Sequence, residues 1–144
     1  MPERNTLKRA ERDRRQGKSP STQAGEFVRE EMEHIREGKH GARSTKQAIA
    51  IGLSKARQAG VKLPPPKNGS AATRKKAAQD SARAGAKPSR NRSRSVVRAL
   101  KRESGAAPSK TALSRQAHSA ARKRTRAQRS GSAKKAARTR SRNR

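Results

Sequence analysis

Composition and patterning predict a mostly disordered chain with some α structure: one small αα-hairpin joined to a basic, conditionally helical C-terminal half. Three observations lead there. Lys and Arg number 40 against 10 Asp and Glu, a formal net charge of +30 in 144 residues. Only 28% of residues are apolar, many of them Ala, and Phe27 is the single aromatic residue. The charge is also lopsided: residues 1–63 carry 15 basic and 8 acidic groups, residues 64–144 carry 25 and 2. Low hydrophobicity with high net charge is the compositional signature of disorder. Ordering one residue costs about 1–2 kcal/mol, and Ala methyls buried at about 25 cal/mol per Å² do not offset that over the whole length.

Residues 1–20 read as a flexible polar arm, with Leu7 as the one large apolar side chain after Met1 and charges of both signs around it. Residues 21–63 read as an αα-hairpin. Ser21 or Thr22 caps a first helix with Glu26 in its first turn, the sign the helix dipole favours. Phe27, Val28, Met32 and Ile35 then give it an apolar face at helical spacing, and Glu30, Glu31, Glu33 and Glu37 occupy the remainder. Gly38-Lys39-His40-Gly41 breaks the helix. The second helix starts at Ser44, which with Gln47 has the spacing of a capping box. Ala48, Ile49, Leu53 and Ala56 form its stripe, widened by Ile51 and Gly52. Gly60 and Val61 suit a Schellman stop, and Pro64-Pro65-Pro66 forbids continuation. So small a hairpin has too little core to stand alone. Phe27, Val28, Met32, Ile35, Ile49, Leu53 and Ala56 are therefore assigned to packing the hairpin or to meeting a partner or a second copy.

Residues 64–92 read as a Pro/Ala/Lys linker and 93–144 as an Arg/Lys-rich nucleic-acid-binding tail. Two stretches of that tail, 93–103 around Val96, Val97 and Leu100 and 109–128 around Leu113, Ala117, Ala120 and Ala121, have helical spacing. Like charges four apart weaken both in water, and phosphates would relieve the repulsion.

The segment Lys46-Gln47-Ala48-Ile49-Ala50-Ile51-Gly52-Leu53-Ser54-Lys55-Ala56-Arg57-Gln58-Ala59-Gly60 resembles the signature of a family of small basic bacterial and phage proteins of unknown function. That signature runs K-Q-A-I-A-I-A/G-L-S-x-A-R-x-A-G, and Phe27-Val28 through Met32 to Lys39 and Gly41 resembles its upstream element. The resemblance spans about 40 residues and implies at most an association with nucleic acid. The Ala/Lys/Arg/Ser/Pro half is similar in composition to linker-histone tails and to bacterial histone-like proteins bearing such tails. Arg outnumbers Lys, 25 to 15, a departure from the Lys-rich pattern of those tails.

A segment with this density of unopposed positive charge calls for a polyanion, and nucleic acid is the commonest one. The residues expected to contact phosphates are Arg74, Lys75, Lys76, Arg90, Arg92, Arg94, Arg98, Lys101, Arg102, Arg122, Lys123, Arg124, Arg126, Arg129, Lys134, Lys135, Arg138, Arg140, Arg142 and Arg144. The expected function is histone-like, largely sequence-independent binding and compaction of DNA. Two alternatives stand beside it: an RNA- or ribosome-associated protein, because Arg forks phosphate and stacks on bases, and a protein-interaction hairpin with a localising tail. Without an aromatic platform, base stacking is not expected.

No enzyme chemistry is expected. Cysteine is absent, no Gly-rich loop suits a phosphate cradle, and the glutamate cluster suggests no pocket that would separate an acid from a base. His34 and His40, near Glu37, are read as surface residues. No metal and no cofactor is assigned. The N-terminus shows no secretory signal and no stretch suits a membrane span, so the expected location is cytoplasmic and nucleoid-associated.

Overall fold

The computed structural model describes residues 1–144 as seven α-helices without a strand. They are α1 (Arg4–Arg15), α2 (Pro20–Arg36), α3 (Thr45–Gln58), α4 (Ala71–Ala82), α5 (Arg90–Leu100), α6 (Lys110–Arg122) and α7 (Arg126–Arg142). The expectation of a mostly disordered chain is therefore corrected: two thirds of the residues are helical, and the arm, the linker and the tail all contain helices.

Local chemistry explains much of the difference. Five helices start at a hydroxyl that accepts the third backbone N–H of the helix: Ser19 for α2, Ser44 for α3, Ser70 for α4, Ser109 for α6 and Thr125 for α7. Each such cap contributes about 1 kcal/mol. Ala between the caps is the strongest helix former, and it costs no side-chain entropy. Composition reports net charge and total apolar area, but not how hydroxyls and alanines are spaced.

The α2 cap is Ser19 rather than Ser21 or Thr22, because Pro20 sits at the first helical position, where its missing N–H costs nothing. At α3, Gln47 N–H donates to Ser44 Oγ at 3.2 Å, but Gln47 Oε1 accepts from Arg43 N–H at 2.6 Å rather than from Ser44. The reciprocal capping box instead occurs at Thr125 and Gln128 of α7. The α3 stop is a Schellman motif: Val61 N–H donates to Ala56 O and Gly60 N–H to Arg57 O, with Gly60 at φ +95°.

The centre is the α2–α3 pair. A Cβ on Gly52 would stand 2.6 Å from the Val28 Cα, so glycine there sets how closely the two helices approach. The small residues of α3 thus serve contact inside the chain. On one side of the pair, Phe27, Ala24 and Ala56 pack with Ala10 of α1 and with Leu53, Val61 and Leu63. On the other, Met32, Ile35 and Ala48 pack with Ala42, Ala107, Val28, Ile49 and Leu113. Of the set assigned from sequence to hairpin packing or to a partner, Phe27, Met32, Ile35 and Ala56 are buried within this chain, and Val28, Ile49 and Leu53 are half-buried against them.

The N-terminal arm is helix α1, and it lacks the large apolar stripe that would have announced it. It buries Thr6 and Ala10 and pairs Arg9 with Glu26 of α2 at 2.6 Å. Asp13, 2% exposed, is held by Lys18 at 2.7 Å. The expected linker contains α4, which buries Ala77 and Asp80 and meets α3 through that carboxylate. Asp80 accepts from Ser54 at 2.7 Å, Gln58 at 3.3 Å and Lys76 at 2.7 Å. Burial pushes its pKa up, but the hydrogen bonds from Lys76, Ser54 and Gln58, with the Lys76 charge, outweigh that and hold it below the ordinary aspartate value.

The loop between α2 and α3 anchors the C-terminal half. Gly41 N–H donates to Leu100 O and Ala42 N–H to Ser104 O, both at 2.9 Å. Thr45 Oγ1 donates to Ala107 O at 2.8 Å, and Arg36 donates to Pro108 O at 3.1 Å. A Cβ on Gly41 would collide with the Glu103 carbonyl, so glycine permits this approach.

Candidate nucleic-acid interface

The four C-terminal helices display cations and bury little. Neither α6 nor α7 buries a residue, and α5 buries only Leu100. All 25 Lys and Arg residues between Lys67 and Arg144 are exposed. Of them, only Lys76 has a carboxylate partner, Asp80. In residues 1–63, by contrast, Arg9, Arg14, Arg15, Lys18, Arg29, Lys39 and Lys55 are all paired with carboxylates. The fold neutralises much of the first half internally and leaves 24 cations of the second half to the solvent.

The residues assigned to phosphate contact distribute over distinct elements. Arg74, Lys75 and Lys76 lie on α4, and Arg90, Arg92, Arg94 and Arg98 on α5. Lys101 and Arg102 follow α5, while Arg122 ends α6 and Lys123 and Arg124 follow it. Arg126, Arg129, Lys134, Lys135, Arg138, Arg140 and Arg142 belong to α7, with Arg144 beyond it. Sequence patterning places them on a linker and a flexible or inducible tail, and 15 of the 20 stand instead on preformed helices.

Two concavities gather some of these groups. A groove of about 1450 Å³ runs between the C-terminal half of α7 and the turn joining α1 to α2. Lys135, Arg138, Arg140, Arg142 and Arg144 line one wall, and Lys18, Ser19, Ser21 and Thr22 line the other. A second hollow of about 590 Å³, on α6, is lined by Arg115, His118, Arg122 and Lys123 among others. The cations of α4 and α5 lie outside both. Sequence reasoning missed Lys18 and Arg115 as contributors. Lys18 is remote in sequence from the tail, and Arg115 carries only helical spacing within α6 as a signal.

Two of the assigned arginines already have work within the chain. Arg129 donates to Ala121 O at 3.2 Å and Arg124 O at 3.1 Å, and Arg124 donates to Gln128 O at 3.0 Å and to Ser132 Oγ. These bonds tie the end of α6 and the residues after it to the first turns of α7, and so brace the α6–α7 turn.

The acidic groups of α2 also differ from the sequence reading. Glu30 and Glu31, read as part of the helix beside its apolar face, are 1% exposed. They meet the backbone of Glu3, the imidazoles of His34 and His40, and Lys55. His34 and His40 are correspondingly largely covered, their side chains 14% and 10% exposed. The reading of both as surface residues is corrected.

Fold and surface together define a small all-helical protein with a segregated, unneutralised cationic half. No helix is long and apolar enough to cross a membrane. Residues 20–67, which span α2, α3 and the proline-rich exit, match the model of a family of unknown function (DUF6496). The match agrees with the resemblance drawn from the Lys46–Gly60 segment, and it leaves α1 and α4 to α7 outside. No curated protein and no solved structure matches the chain.

Proposed function

We propose that this protein binds nucleic acid through the phosphate backbone with little regard to sequence, and that duplex DNA is the target it compacts. The observation that carries the reading is the set of 24 exposed cations without a carboxylate partner in residues 64–144. A polyanion bound there releases condensed counterions, and that entropy drives association. Two thirds of the chain is helix, so the cations of α5 and α7 are presented at fixed spacing before binding. Binding therefore costs less ordering entropy than folding a tail on the DNA would. The guanidinium-rich composition favours forked contacts to phosphate oxygens. The cellular location this implies is the nucleoid.

The test is a titration of full-length protein against unrelated duplex DNAs and structured RNA across salt. If about eight phosphates are neutralised, the log–log slope is roughly −7, the same for every duplex. A slope near zero sinks the reading. A consistent preference for structured RNA over duplex DNA at one salt concentration would move the target to RNA while keeping the mechanism.

A further inference from the structure

We infer that Glu31, His34 and His40 form a binding site for a divalent transition-metal ion of borderline softness, zinc being the ion that suits the donors best. One ligating atom of each of these residues lies within 4.8 Å of those of the other two. Two imidazole nitrogens and one carboxylate oxygen are a common zinc donor set, and a fourth position is left to water.

The independent observation is an orphaned atom. Glu31 is 1% exposed, and its Oε1 has no hydrogen-bond donor. A buried carboxylate oxygen without a donor is costly. His40 Nε2 stands 2.9 Å from that oxygen, but not in hydrogen-bonding geometry. His40 Nδ1 lies 3.0 Å from Gly41 O, an atom that only accepts, so Nδ1 carries a proton. In the neutral ring Nε2 is then a lone pair, adjacent to the lone pairs of Glu31 Oε1. In a tetrahedral zinc site with bonds of about 2.1 Å two ligand atoms stand about 3.4 Å apart, so an ion seated between these two would part them by about half an ångström.

The surroundings are those of a metal site rather than of a simple ion pair. Glu31 Oε2 accepts from Lys55 at 2.6 Å, which fixes the carboxylate while leaving Oε1 free. Glu3 Oε1 lies 2.9 Å from His34 Nε2 and orients that ring. The hydrogen bond from His40 Nδ1 to Gly41 O is the outer-shell contact that fixes a ligating imidazole. Glu30, also 1% exposed, adds a second buried carboxylate 3.8 Å from His34, so the cluster carries more negative charge than Lys55 alone offsets. The ion would tie the C-terminal turns of α2 to the loop whose Gly41 and Ala42 hold the C-terminal half.

The site is tested on full-length protein freed of nucleic acid and metal by chelation. Zinc is titrated by calorimetry, and cobalt by its visible ligand-field absorption. The chain has three histidines and no cysteine, which makes the accounting simple. One ion per chain is expected, with a rise in melting temperature. The double variant His34→Gln/His40→Gln, checked for native helicity by circular dichroism, should lose about 100-fold or more in affinity. Lys55→Gln should lose about tenfold, and His118→Gln should lose nothing. The inference is overturned if wild-type protein takes up no zinc, or if a folded double variant binds it equally well. Loss of the site in His118→Gln would overturn it too. Should the double variant not fold, the cobalt spectrum of wild type decides: bands of nitrogen-bound cobalt support the site, and their absence overturns it.

Discussion

Residues 1–63 and 64–144 solve the same problem, holding helices in water, by different means. The first part contains 17 of the 22 buried residues, and the second contains five. The first pairs seven of its 15 Lys and Arg with carboxylates, while the second leaves nearly all of its cations facing water. Helices in the first part are held by burial: Phe27 and Ile35 are almost fully enclosed between neighbours. Those in the second are held by hydroxyl caps, by alanine, by Asp80 of α4, and by a few backbone bonds to the α2–α3 loop. Order, then, does not require a core of its own in every segment. The contrast also separates two duties, because residues that stabilise are not the residues that face a polyanion.

The strongest challenge to this division is Phe27→Ala. Phe27 is 1% exposed and joins α1, α2 and α3 in one cluster. Its truncation is expected to cost about 3–5 kcal/mol in urea unfolding. The C-terminal helices should melt with it, since their anchors are on the α2–α3 loop. Val97, 42% exposed on α5, is the contrasting site, and Val97→Ala should stay within about 0.5 kcal/mol of wild type. Equal losses at the two positions would refute the division.

A smaller effect is expected at Asp80, the buried group that docks α4. Removing its charge by Asp80→Asn leaves Lys76 without its partner and should cost about 1–3 kcal/mol near neutral pH. Its folded pKa lies below the ordinary value of 3.8. Its contribution is therefore complete above that value and is lost as pH falls through the folded pKa. The gap between wild type and variant should close as the solution is acidified. Glu11 makes the control: hydrogen bonds from Arg14, then Arg15, bring its carboxyl down to about 2, yet it sits on the α1 surface. Glu11→Gln should change the melting temperature less than Asp80→Asn does, because exposed pairs are screened. The reverse order would contradict the role given to Asp80.

The α2–α3 pair was legible because start, period and stop all left marks: Ser44, the Ala48–Ala56 stripe, Gly60 and the three prolines. Helix α1 was not, because what holds it is a pair of small buried residues, Thr6 and Ala10, and ion pairs to residues far along the chain. Helix α4 was hidden for the same reason, since Asp80 meets Ser54 and Gln58 only after folding. Helix α7 had a readable signal in Thr125 and Gln128, but its charge density argued the other way. The cationic residues were all nameable from sequence, whereas their gathering with Lys18 in one groove was not. Buried glutamates were the least legible of all: Glu30 and Glu31 look like the polar face of α2 until His40 and Lys55 are brought over them.

The smallest effect on folding is expected where the effect on binding is largest. Lys134, Arg138 and Arg142 stand four residues apart along one side of α7, all exposed. Like charges at that spacing destabilise a helix by about 0.2–0.5 kcal/mol per pair. Replacing the three by Gln removes two such pairs and keeps helix propensity nearly unchanged. The melting temperature should hold or rise slightly. Each phosphate that is no longer neutralised takes about 0.9 off the salt slope, so the triple variant should be shallower than wild type by roughly 3 on duplex DNA. Stability and affinity then move independently, as they must if the C-terminal half keeps its charge for a ligand and not for the fold. A triple variant that binds with an unchanged slope would show that α7 lies off the nucleic acid. The interface would then have to be sought on the cations of α4 and α5, which lie outside the α7 groove.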